Sequence, residues 1–187
     1  MARISETLKQ DHREIEAIAD RIIRSTSRDD QIRYQNLFTW ELARHAVGEE
    51  LVVYPAFEKH VPDGARLAEK DRKEHQHVKT QLKTFQQLDP SHHEFLPKLT
   101  ALMDDLEAHI KEEESQDLPM LEDAVSEAES RSLSKSFSRT KIFLPSRAHP
   151  HVPNKPPFET AVGLLTAPFD QLADLFRKWP RKDQIEG

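Results

Sequence analysis

Apolar residues recur at steps of three and four through the first 125 residues of the chain, the signature of helices with one buried face. Ile4, Leu8, Ile15, Ile18 and Ile22 predict a first helix over roughly residues 3–25, closed by the turn Ser25-Thr-Ser-Arg-Asp. A second helix is predicted from about Asp30, carrying Leu37, Trp40, Leu42, Val47 and Leu51. Pro55 should kink it and Val61-Pro-Asp-Gly64 should stop it. Leu67, Val78, Leu82 and Phe85 predict a third helix over about 65–88. Asp89-Pro-Ser91 reads as a turn, with Ser91 as the N-cap of the next helix. That fourth helix carries Phe95, Leu99, Leu102, Leu106 and Ile110 to about Glu114, then continues past Pro119 through Leu121 and Val125. Four helices with short connections predict an all-α fold, an antiparallel up-down four-helix bundle over residues 1–125.

Beyond the bundle the pattern changes. Residues 126–157 read as a serine-rich helix to about 139 followed by a proline-rich linker, since five of the twelve prolines fall between 144 and 157. Phe158, Val162, Leu165, Phe169, Leu172, Phe176 and Trp179 then form one apolar seam, interrupted by Pro168. The expectation is a C-terminal amphipathic helix over 158–180 that docks on the bundle, with a partner or self-association surface as the next reading. Arg177, Lys178, Arg181 and Lys182 beside Phe176 and Trp179 make membrane-surface binding a third.

Composition narrows the chemistry. The chain has 187 residues, 32% of them charged, and only four glycines, all in keeping with a polar helical protein. With no cysteine, thiolate zinc sites and iron–sulfur clusters are excluded, and any metal must use nitrogen and oxygen ligands. A formal net charge of -6 argues against nucleic acid as the main partner. No apolar stretch approaches the length of a transmembrane segment, and the first residues have no apolar core of a secretory signal, so a cytoplasmic location is expected. Histidine stands out, with ten copies.

An internal repeat selects four of those histidines. His45-Ala-Val-Gly-Glu49-Glu50 recurs as His109-Ile-Lys-Glu-Glu113-Glu114, and Pro55 recurs as Pro119 at the same offset of 64. Upstream, Asp11-His12 matches Glu74-His75 at an offset of 63. On a helix, residues four apart lie on one face about 5–6 Å from each other, so His45 and Glu49, or His109 and Glu113, can point at one centre. One such pair is common on helix surfaces. Two in register, each preceded by a histidine on the helix before, point to a pair of metal ions. Imidazole with carboxylate suits iron, and also manganese or zinc. Buried glutamates there would be costly without a cation.

With these motifs in view, residues 1–125 resemble the haemerythrin family, specifically its HHE cation-binding branch. The tail resembles the segment after the bundle in fungal members. The resemblance implies His12, His45, Glu49, His75, His109 and Glu113 as ligands of two iron ions, with Glu114 as an alternative to Glu113. Oxygen-carrying haemerythrins have a further histidine four residues after the third-helix ligand, where this chain has Lys79. They also have an aspartate five residues after the last histidine, where this chain has Glu114. The missing histidine leaves coordination open, which favours reaction with O2, peroxide or another small ligand.

Among other candidates, Lys79 lies one turn from His75 and reads either as a surface lysine or as a group reaching toward the metal pocket. Glu50 and Glu114 read equally as solvated residues or as partners that orient ligand histidines. His77 should face away from His75, and Tyr54 and Trp40 read as core or rim. The leading functional expectation is a non-haem di-iron protein that binds O2, peroxide or a related ligand in sensing, storage, detoxification or metal handling. Alternatives are a di-iron oxygenase or oxidase of a small organic substrate, and a structural zinc site in an interaction protein.

Overall fold

A computed structural model describes residues 2–144, 147, 173–175 and 177–180. Among the described residues the secondary structure is entirely helical. The helices are α1 (Ile4–Arg24), α2 (Arg28–His60), α3 (Gly64–Phe85), α4 (Phe95–Glu112), a π-helical turn (Glu113–Asp117), α5 (Leu118–Ala124) and α6 (Glu127–Phe143). No helix is long and apolar enough to cross a membrane, among the described residues.

Local chemistry sets the boundaries. Ser27 caps α2 by accepting from the Asp30 amide, so α2 begins slightly before the predicted Asp30. Pro55 lies inside α2, which nonetheless runs on to His60. Asp63 turns the chain in a left-handed conformation, with φ of 58°. Gly64 follows because any Cβ there would lie 1.9 Å from the carbonyl oxygen of Phe57. Ser91 does not cap α4. Its amide and hydroxyl both donate to Asp89 Oδ1, which closes a tight Asx turn, and the helix starts only at Phe95. α3 likewise ends at Phe85, short of the expected Leu88.

α1 packs on α2 and α4, α2 on α3, and α3 on α4, closing a four-helix ring. Its interior is layered. One apolar cluster holds Ile15, Ile22, Phe38, Leu42, Leu82, Phe85, Leu99 and Leu106. A second, at the other end, holds Leu8, Val53, Tyr54, Phe57, Ala68, Leu118 and Leu121. Along each of the first three helices, the histidine falls between residues of one cluster and residues of the other. In the fourth, Glu113 falls between Ile110 and Leu118. A polar layer is thus sealed at both ends by hydrocarbon.

α6 adds a fifth long helix against α1 and α2. Its small residues allow close approach: Ser130 Oγ accepts from the Ile4 amide and Ser134 Oγ lies 2.7 Å from Thr7 Oγ1. Phe137 is fully buried and fills a notch in α2 at Gly48, where a Cβ would lie 2.8 Å from the ring. The predicted helix over 158–180 falls largely outside the described residues. Its described end lies on α2: Arg33 donates to the Trp179 carbonyl at 2.7 Å, Asn36 to the Lys178 carbonyl at 2.9 Å, and Trp179 meets Trp40 edge-on.

Candidate metal centre

The polar layer contains two histidine pairs. His12 on α1 and His45 on α2 bring their Nε2 atoms to 3.1 Å. His75 on α3 and His109 on α4 bring theirs to 3.0 Å. All four residues are at most 6% exposed. Glu49 lies between the pairs, with Oε1 3.2 Å from His45 Nε2 and Oε2 3.3 Å from His75 Nε2. Glu113 also reaches the layer, with Oε2 3.3 Å from His12 Nε2. Both glutamates are completely buried, and none of their four carboxylate oxygens has a hydrogen-bond partner. Six sequence-predicted residues are therefore brought together. His77 is not among them: it pairs with Asp105 at 3.1 Å on the surface, as its spacing required.

Behind each ring stands a carboxylate, itself held by a base. Asp11 faces His45 Nδ1 at 3.3 Å and pairs with Lys141 of α6. Glu114 faces His12 Nδ1 at 2.8 Å and pairs with Arg13. Glu74 faces His109 Nδ1 at 2.8 Å and pairs with Lys70. Glu50 stands 3.8 Å from His75 Nδ1, and Lys79 Nζ donates to both its oxygens at 2.7 and 2.8 Å. The pattern obeys the internal repeat: Asp11 serves His45 as Glu74 serves His109, and Glu114 serves His12 as Glu50 serves His75. Glu114 is thereby separated from Glu113. The first orients a histidine from outside, and the second reaches the interior. Lys79 is neither a surface lysine nor aimed at the centre, because Glu50 holds its ammonium group.

These contacts set the tautomers of His12, His45 and His109, whose Nδ1–H groups donate outward to carboxylates and leave Nε2 directed inward. Two bare lone pairs about 3 Å apart repel unless a proton or a cation lies between them. Two nitrogens bound at right angles about 2.1 Å from one ion would be separated by about 3.0 Å, so the observed spacings suit neighbouring ligands. The unpartnered Glu49 and Glu113 oxygens supply the negative charge that such ions need. The donor set thus fits a pair of divalent cations.

Without metal, protons take that place. Burial alone would lower His45, but Glu49 and Asp11 outweigh it and raise the imidazole from 6.5 to about 10. Burial likewise opposes protonation of His109, yet Glu74 and Glu113 lift it to about 9. Glu49 is held well below the usual carboxylate range: burial opposes this, and the His45 charge overcomes it. His75 is pushed down by burial and by the neighbouring His109 charge. Tyr54, whose hydroxyl lies 3.0 Å from His75 Nε2, is kept a neutral phenol by burial and the nearby carboxylates.

Two buried residues that the sequence did not single out are Asp71 and Asp117. Asp117 lies on the π turn, which falls between Glu112 and Leu118, just ahead of Pro119, and also carries Glu113. Asp117 is 3% exposed, and Asp71 of α3 is fully buried with both oxygens unpartnered. Burial, then the charge of Asp117, raises Asp71 to about 8. The spacing of Asp71 from His75, one helical turn, was a usable signal, whereas the inward turn of Asp117 depends on a π turn with no counterpart in α2.

An all-helical bundle with paired imidazoles around shared buried carboxylates defines a cation-binding bundle protein. The Hemerythrin HHE cation binding domain model matches residues 3–121, and the chain belongs to that family, which implies metal binding. An uncharacterized hemerythrin-like protein of Schizosaccharomyces pombe is 50% identical over 181 residues, covering 96% of this chain and 89% of that protein. The crystal structure of a Hemerythrin HHE cation binding domain-containing protein from Mycobacterium kansasii has the same fold. Its TM-score is 0.66 at 23% identity, covering 76% of this chain and 86% of that one.

Proposed function

We propose that the chain is a non-haem di-iron protein that binds O2, peroxide or a related small ligand. His12 and His45 would hold one ion, His75 and His109 the other, with Glu49 and Glu113 shared. The observation that carries this reading is the two Nε2 pairs with Glu49 spanning them. Two imidazoles with shared carboxylates would leave coordination positions open on each ion, and a bound iron pair would supply two electrons to a small oxidant there. The chain's own contribution is to orient each ring through its outer carboxylate and to exclude water with the two apolar clusters. A cleft of about 390 Å³ between α3 and α4, lined by Val78, Asp105 and His109 among others, offers a small ligand an approach to the His109 side. The test is anaerobic reduction followed by addition of O2 or peroxide. A new visible absorption that depends on the oxidant supports the reading, and a spectrum that never changes would sink it.

Proton displacement should accompany metal uptake. At pH 7 the metal-free protein holds protons on His45 and His109, whose values of about 10 and about 9 lie above the medium. A cation must expel them, so affinity should climb as pH rises toward those values and the competition ends. Calorimetry at pH 7 in buffers of different ionisation enthalpy should register protons released per ion bound. A heat independent of the buffer would contradict the assignment of these protons.

A further inference from the structure

Beside the paired centre lies a second acidic constellation, of which Asp71 and Asp117 have no part in the proposed function. Asp71, Glu74 and His109 each offer a ligand atom, and these atoms all lie within 4.8 Å of one another. Asp71 is fully buried and neither of its oxygens has a hydrogen-bond partner, an arrangement that leaves both oxygens open to a cation. Asp117 stands close enough for its charge to act on Asp71, and Lys70 and Glu113 act on both. Solvent reaches this cluster from one side. The Glu74 side chain is 35% exposed, and Lys70 and Glu112 beside it are each 39% exposed. Glu74, 2.8 Å from His109 Nδ1, thus joins the surface to the ring of His109, with buried Asp71 beside it.

We propose that Asp71, Glu74 and Asp117, with His109 as the inner boundary, form an auxiliary divalent-cation site through which metal ions reach the paired centre. Hard oxygen donors in an unsaturated, adaptable set suit Mn2+ or Fe2+ held loosely with several waters. Lys70, paired with Glu74 and Glu112 at 3.3 and 2.6 Å, stands at the mouth, where an incoming dication would displace it. Such a route enters the layer from its side, since two apolar clusters seal its ends against a hydrated ion. This inference rests on the paired centre holding metal.

The test uses the full metal-free chain under anaerobic conditions. Mn2+ binding is counted from the loss of the free-ion electron paramagnetic resonance signal, and Fe2+ uptake is followed by stopped flow. Wild type should bind a tight pair and a further, weaker Mn2+. Asp71→Asn and Asp117→Asn, which preserve shape, should lose the weaker ion and keep the tight pair. Their Fe2+ uptake should be slower by roughly tenfold or more, the scale on which loss of a supporting carboxylate acts. Circular dichroism confirms that each variant is folded. Variants that retain the weaker ion and load at the wild-type rate overturn the proposal, as does loss of a tight ion, which would make Asp71 a ligand of the pair. Wild type without a tight pair would overturn the paired centre as well, and that titration precedes any variant.

Discussion

Glu49→Gln should empty both metal positions, whereas most single ligand changes should weaken chiefly one. The Glu49 oxygens are divided, one 3.2 Å from His45 Nε2 and the other 3.3 Å from His75 Nε2, so one side chain serves both pairs. Glutamine keeps the shape but directs an amide N–H at one of the two positions and removes the charge that offsets repulsion between two dications. The loss of affinity should exceed the roughly 10–100-fold expected from removing an orienting carboxylate such as Glu114. The metal-free variant should stay folded, because Asp11 still holds His45. Elemental analysis after gel filtration reads the result. A variant that keeps the wild-type metal content would show that Glu49 is not shared.

Phe137→Ala should be among the most destabilising substitutions outside the centre. The ring is fully buried, belongs to the apolar cluster around Val53, Phe57 and Leu121, and fills the notch at Gly48. It also stands edge-on to the His45 ring, 5.9 Å away. Truncation leaves a cavity that rigid helices cannot close, for about 3–5 kcal/mol. Urea unfolding of the metal-free protein measures it, and a loss under about 1 kcal/mol would contradict the clamping role given to α6. Metal content should also fall, since His45 loses a wall. Removing residues 145–187 should by contrast leave metal content intact, because Phe137 and Lys141 remain.

The bundle and the six central residues were legible because both rest on short-range periodicity. His45 and Glu49 share a face by spacing alone, and the copy at His109 and Glu113 gives the second half. Spacing could not show which residues stand behind the rings. The carboxylate for His12 comes from Glu114, more than a hundred positions away, and the base behind Asp11 comes from Lys141 of α6. Such pairings are settled by helix packing. Pattern alone left Glu50 and Glu114 equally solvated or orienting, and the structure places both against rings. Lys79 shows the same limit: its spacing from His75 left it either a surface lysine or a group reaching toward the pocket, and only tertiary contact reveals Glu50 as its partner. Ser91 failed as a cap because Asp89 competes locally for its amide, a choice between two short-range motifs that pattern does not rank.

The two cations of the iron class proposed for this layer are tested most directly by elemental analysis of freshly purified protein beside His45→Ala. A pair of ions per chain, iron foremost, is the expected result, with a clear loss in the variant. Zinc alone would point to a structural site, and an undiminished pair in His45→Ala would contradict the ligand assignment.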